Sequence, residues 1–278
     1  MIKTHPTEKE FAKMELKAKL FDTHAHCDDA RIQKEFDGGT EALIEYCLKN
    51  GVGNIVNIGT NVENSEKSIT LAEKFHEVYA TVGIHPYDCM FIDDTEKTLA
   101  EIEKMLSHKK VVALGEIGLD YHYEPLDKER QLKWFRAQMT IAEKIGIPVV
   151  IHDRDAHGDC MQVIKEFPSV KGVFHSFSGS AEMAKELTNL GWYISFSGTV
   201  TYKNAIKPKE ACTIVPNDRI LIETDSPNLP PTPHRGEMNI PLYVYLTAVE
   251  MAKLRGQDEN DFIEMTNKNA KRFFGITE

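Results

Sequence analysis

Eight short apolar runs punctuate the chain: KLFDTH, VGNIVNIG, VYATVGIH, VVALGEIG, IPVVIHD, GVFHSFSG, WYISFSG and ILIETDSP, each bounded by Gly, Pro or Asp. Their β-branched content and sharp boundaries predict strands. The runs are nearly continuous rather than alternating, which predicts strands covered on both faces, as in a parallel sheet. Between them the period changes to that of a helix. Residues 127–145 place Leu132, Phe135, Met139, Ala142 and Ile145 at spacings of three and four and stop at Gly146 and Pro148. Weaker stretches of the same kind cover 40–50, 62–76, 95–107, 157–166, 180–190, 203–212 and 241–255, with a last one at 259–273. Strands alternating with helices give a parallel α/β sheet, and eight such units in 278 residues fit a closed (β/α)8 TIM barrel better than a doubly wound sheet. A single domain over residues 20–278 is expected. Residues 1–19 precede the rhythm and read as an N-terminal extension forming a surface helix.

Composition narrows what such a barrel could do. With 33 basic against 43 acidic residues the net charge is -10, which argues against a broad basic face gripping nucleic acid along its length. A phosphate-bearing substrate would have to be held locally, by metal ions or a few arginines. The five cysteines are odd in number, scattered and without a C-x-x-C pair, so neither a disulfide framework nor a thiolate zinc knuckle is expected. A reducing, cytoplasmic setting fits them. The opening MIKTHPTEKEFAKMELKAKL is charged and lacks the apolar core of a signal peptide, and no run approaches the roughly 18 apolar residues of a membrane span.

In a barrel, reactive groups gather where the strands run out at the C-terminal mouth. Here the first strand ends in His24 and His26, the third in His85, the fourth in Glu116, the fifth in His152, the sixth in His175 and the eighth in Glu223 and Asp225. The strand period of two puts His24 and His26 on one side with Cα atoms about 6.5–7 Å apart, so both rings can reach one ion at about 2 Å. Singly, each position has an ordinary reading. A His-x-His can be a solvated turn, and His85 a hydrogen-bonded loop residue. Glu116, beside Leu114 and Ile117, is costly unless paired or metal-bound. Imidazoles and carboxylates ending several converging strands together point to a metal site. Other features keep plain readings: Met139 as core filler, His108 with Lys109 and Lys110 as a solvated turn, and His5, His76 and His122 as residues without an identified partner. Arg154, two residues beyond His152, points to the same mouth as a phosphate contact or a surface ion pair. The proline-stiffened PPTPHRG loop could present His234 and Arg235 there. Tyr87, Phe177 and Tyr202 are candidates for base stacking or for packing.

The segments DTHAH, VGIHPYD, ALGEIGLDY, IPVVIHDRDA, GVFHSFSGS, ISFSGTVTYKNA, ETDSPNLPPTPHRGEMNIP and NAKRFFGI resemble, in order from about residue 20 to 276, the motifs of the TatD family of metal-dependent deoxyribonucleases, within the amidohydrolase superfamily. The resemblance implies a TIM barrel and a binuclear centre. One ion would be held by His24, His26, Glu116 and Asp225 and the other by Glu116, His152 and His175, with Glu116 the bridge. Two divalent ions, whether Zn, Mg, Mn or Co, would share a hydroxide that attacks a phosphodiester in line. Glu116 and Asp225 are then the catalytic carboxylates, Asp225 taking the proton from the nucleophilic water. His85, Arg154, His234 and Arg235 are the expected substrate contacts. The implied activity is hydrolysis of DNA from a 3′ end, on single strands or strand ends, by a monomer or weak oligomer. This chain has Tyr87 where many relatives carry a second histidine, Ser176 and Ser178 where they carry cysteine or threonine, and Asn228 where they carry tyrosine. Those departures bear on substrate preference. Two other readings stay open: a binuclear amidohydrolase acting on amide or acyl-ester bonds, and a non-catalytic metal-binding or interaction protein.

Overall fold

The computed structural model describes residues 16–277. Its strands are β1 Leu20–Ala25, β2 Val52–Asn57, β3 Val78–Val82, β4 Val111–Asp120, β5 Val149–Arg154, β6 Gly172–Phe174, β7 Tyr193–Phe196 and β8 Ile220–Ile222. They form one sheet in chain order, every pairing parallel. Closure comes just past β8. The Asp225 N–H donates to the His24 carbonyl at 2.8 Å and the His26 N–H to that of Ser226 at 2.7 Å. The sheet is therefore the expected TIM barrel, and its seam lies at residues named above as candidate ligands.

The helices are α1 Ala30–Glu35, α2 Gly39–Lys49, α3 Val62–Lys74, α4 Thr95–Met105, α5 Lys128–Ile145, α6 His157–Glu166, α7 Ala181–Asn189, α8 Ile206–Ile214, α9 Val244–Arg255 and α10 Glu259–Phe274. Helix α1 escapes sequence reading because six residues are too few to display a period; Asp29 starts it by accepting from the Arg31 N–H at 2.7 Å. Helix α8 starts three residues later than the periodic stretch at 203. A surface helix expected over residues 1–19 falls largely on residues 1–15, outside the described residues, and residues 16–19 form no helix. No helix among the described residues is long and apolar enough to cross a membrane.

Two apolar layers hold the barrel. One lies between strands and helices; the other fills the interior near the strand starts, where Phe21, Val112, Val150, Val173 and Leu221 pack with Phe273 and Phe274 of α10. The terminal helix thus seals one end with hydrocarbon, Phe274 stacking on Phe21 at 6.1 Å. Polar chemistry is left to the other end. Helix α5 fixes part of that end: buried Gln138 makes paired bonds with the Ile84 backbone at 2.8 and 3.0 Å, and buried Gln131 does the same with Asp120 at 2.8 Å each way. Both strand exits are thereby held from behind.

Candidate metal centre

Glu116 is not at the end of its strand, as the sequence suggests, but in the middle of the ten-residue β4. Pairing with β5 runs from Leu114↔Val149 to Ile117↔Ile151, so β4 spends three steps where β5 spends two. This bulge turns the carboxylate among four imidazoles. The Glu116 N–H donates to the Gly59 carbonyl at 2.7 Å, anchoring the bulge to the exit of β2.

Each carboxylate oxygen of Glu116 faces a different cluster. Its Oε2 lies 3.5 Å from His24 Nε2 and 3.9 Å from His26 Nε2, while Asp225 Oδ1 is 3.6 and 3.4 Å from the same two nitrogens. The two nitrogens are 3.3 Å apart. A tetrahedral shell with bonds of about 2.0–2.1 Å has edges of about 3.3–3.4 Å, so these four atoms approach the vertices of one coordination sphere. Glu116 Oε1 faces the second cluster, 2.6 Å from His152 Nδ1 and 2.8 Å from His175 Nε2, which are themselves 3.3 Å apart. His85 Nε2 stands 3.8 Å from the same oxygen. The six expected ligands are thus brought together, and the nitrogen and oxygen donor set fits two divalent cations sharing one carboxylate.

The electrostatics make the same demand for positive charge. Burial alone would raise Glu116, yet the charge of His175 and the hydrogen bonds of His152, His175 and His24 hold it well below the ordinary carboxylate value. At His175 burial is outweighed by Glu116 and Glu223, and the ring is lifted well above its usual value. At His152 burial is outweighed by hydrogen bonds to Asp120 and Glu116, which lift it to about 9. Asp225 is held down, against burial, by its hydrogen bond with His26 and the neighbouring imidazoles. Protons drawn onto buried rings do here what cations would do, so metal binding is expected to release protons.

Three carboxylates without a role in the sequence reading position these ligands. Asp120 Oδ2 is 2.9 Å from His152 Nε2, and Oδ1 accepts from the His122 and Tyr123 N–H groups at 2.8 and 3.2 Å. Glu223 Oε1 accepts from the Ser176 N–H at 2.7 Å and lies 3.3 Å from His175 Nδ1. Such partners set ring orientation and tautomer in metal sites. Asp22 accepts from the N–H and hydroxyl of Thr224 at 2.9 and 2.5 Å and from the His24 N–H at 3.3 Å, tying β1 to the loop that carries Asp225. Burial pushes its carboxyl up to about 8. A signal existed for Asp22: an acid inside an apolar run, the argument applied to Glu116.

Gly118 explains how β4 and β5 approach closely enough. Its φ is +135°, and a Cβ there would sit 2.1 Å from the His152 carbonyl oxygen. Gly118→Ala is therefore expected to lower stability by about 3 kcal/mol and to displace His152. Chemical denaturation alongside metal titration checks both effects, and wild-type values in each would contradict this packing.

The centre opens into a cavity of about 1070 Å³ whose lining includes His26, His85, Glu116, His152, His175 and Asp225. Among its lining residues only Arg31 and Arg154 are Lys or Arg. Arg154 is where the strand period put it. Arg31 was not foreseen; its Nη2 donates to Asp29 at 2.9 Å and to Asn228 at 2.7 Å. His85 lines the cavity with its ring held down to about 3 by burial and by His152, hence neutral. The proline-rich loop departs from the expected pose. Gly236 and Glu237 line the cavity, but His234 stacks on Tyr243 at 4.4 Å and Arg235 lies over Tyr202 at 4.3 Å, and neither lines it. Aromatic faces behind the loop hold both side chains. Of the three stacking candidates only Tyr87 lines the cavity; Phe177 is buried against Phe196. His122, without a partner in the sequence reading, meets Asp155 at 3.2 Å.

Residues 21–275 match the profile of the TatD related DNase family. The chain is 42% identical over 259 residues to YabD of Bacillus subtilis, an uncharacterized metal-dependent hydrolase, covering 92% of this chain and 99% of that protein. It is 34% identical over 266 residues to YcfH of Escherichia coli, described in the same words, covering 92% and 96%. Among solved structures, the TatD homolog YJJV of Escherichia coli superposes with a TM-score of 0.84 at 30% identity, covering 93% of this chain and 98% of that one. With the profile spanning nearly the whole barrel, this chain belongs to the family of TatD-related DNases.

Proposed function

We propose that this protein is a metal-dependent hydrolase of DNA phosphodiester bonds that takes single strands or strand ends and works from the 3′ end. The observation that carries the reading is Glu116, with one oxygen facing His24 and His26 and the other facing His152 and His175. In this reading His24, His26, Glu116 and Asp225 hold one divalent ion, and Glu116, His152 and His175 a second. When bound, the pair supplies Lewis acidity that activates a water and offsets charge growing on the phosphate. Asp225, kept ionised by the imidazoles around it, receives the proton of the attacking water. Asp120 and Glu223 hold the His152 and His175 rings in register. The Tyr87 N–H donates to His85 Nδ1 at 3.1 Å, so the neutral ring carries its proton on Nε2 and offers a donor at the cavity wall. Arg154 and Arg31 supply guanidinium groups for phosphate oxygens. All five cysteines are free and buried, which suits work in a reducing compartment.

The test is a substrate panel of single-stranded DNA, duplex DNA, RNA and model amide and acyl-ester compounds, each with Mg2+, Mn2+, Co2+ or Zn2+. Nucleotide release from single-stranded DNA is expected, with the amide and ester untouched. The reverse pattern would move the assignment to an amidohydrolase. Ion binding at a hundred times Kd adds about 2.7 kcal/mol, which for a chain of this size raises Tm by about 5–10 °C. Differential scanning calorimetry with and without ions reads that shift.

A further inference from the structure

Among the described residues, the exposed aromatic side chains are Tyr87 at 38%, Phe91 at 60% and Tyr123 at 50%, and all three lie together. The Tyr87 ring is 5.3 Å from Phe91 and 6.4 Å from Tyr123, both in edge-to-face contact. Arg154 caps Tyr123 with its guanidinium 5.3 Å from the ring centroid. Tyr87, Tyr123 and Arg154 line the cavity that holds the imidazole cluster, so the patch runs outward from the candidate metal centre along one rim. Three aromatic faces left in water forgo burial that folding could have provided.

The charge balance indicates what covers them. The chain carries -10 overall and the cavity lining offers two guanidinium groups, too few for phosphate attraction to hold a strand. Stacking supplies the rest, because every base has a π-face and an aromatic accepts it whatever the sequence. We propose that Tyr87, Phe91 and Tyr123, with Arg154 over the last, form a ledge on which unpaired bases stack while the adjoining phosphodiester lies at the metal cluster. The ledge rests on the reading of the substrate as DNA and sharpens it: paired bases cannot present their faces, so the ledge selects frayed ends and single strands without a sequence preference.

The test uses Phe91→Ala, Tyr123→Ala and the Tyr87→Ala/Tyr123→Ala double variant, each checked for an unchanged thermal melt, and a fluorescein-labelled phosphorothioate oligothymidylate read by anisotropy. Kd is expected to rise about 5- to 150-fold for each base whose stack is lost. The same oligonucleotide with abasic sugars in place of nucleosides should bind wild type more weakly than the intact one binds the double variant, which keeps Phe91. Two phosphate contacts on a single strand predict a log–log salt slope of only about -1.4. In turnover with the unmodified oligonucleotide, KM should rise by more than kcat falls. Unchanged Kd in the variants overturns the ledge, as does a variant that alters only the sedimentation of the protein, which would make the patch a contact between copies. Cleavage followed in parallel separates the two claims. Ledge-dependent binding without hydrolysis would sink the nuclease reading alone, and hydrolysis with ledge-independent binding would sink the ledge alone.

Discussion

Replacing Glu116 with alanine is expected to lower hydrolysis by three orders of magnitude or more, a loss of about 4 kcal/mol in transition-state stabilisation, and to remove both proposed ions from a chain that stays folded. The size of the effect follows from geometry. A ligand serving one position could be lost with the other intact, but Oε1 stands 2.6 Å from His152 and Oε2 3.5 Å from His24, so one substitution removes a donor from each position. Folding survives because the imidazoles need not stay charged. Without Glu116 the His175 ring loses the carboxylate that most favours its proton, while His152 keeps its hydrogen bond to Asp120, so neither ring is left as an unpaired buried charge. Metal analysis, a thermal melt and oligonucleotide cleavage on one preparation check all three parts. A folded Glu116→Ala protein that keeps two ions and its activity would contradict the bridging role.

Asp120→Asn is expected to cost about 10- to 100-fold in activity, with the loss appearing in the affinity for one ion rather than in KM for the proposed DNA substrate. Asp120 Oδ2 lies 2.9 Å from His152 Nε2, and hydrogen bonding to the ring holds the Asp120 carboxyl down at about 2, so it stays an acceptor at every working pH. With Nε2–H pointing at that acceptor, it is Nδ1 that would give up its proton on metal binding and offer a lone pair between Glu116 and His175. An amide is a weaker acceptor and can turn its NH2 to the ring, reversing the tautomer. Calorimetric metal titration should show one equivalent weakened and the other unchanged. Two unaltered equivalents would reduce Asp120 to a loop anchor, a role its bonds to the His122 and Tyr123 N–H groups would still support.

The barrel was legible because strands buried on both faces write themselves as continuous apolar runs and α5 repeats its buried positions at helical spacing. The candidate ligands were legible because polar residues ending such runs are anomalous. The location of Glu116 within β4 was not, since the bulge depends on pairing with β5 and on contact with Gly59. Asp120 and Glu223 stayed without roles for a related reason: each acts on an imidazole from a different strand, a relation with no signature in local sequence. The sequence reading offers His234 and Arg235 of PPTPHRG to the cavity, whereas the structure sets them against Tyr243 and Tyr202, rings distant in sequence that no local pattern announces. Phe91 and Tyr123 could not be separated from core aromatics until their exposure was known.

The most direct measurement is a titration of chelator-treated protein with Mn2+ while nucleotide release from a single-stranded oligonucleotide is followed. Two ions bridged by Glu116 predict negligible hydrolysis at the start and a rise that saturates at two equivalents per chain. Full hydrolysis before any Mn2+ is added, or saturation at one equivalent, would contradict a shared two-metal centre.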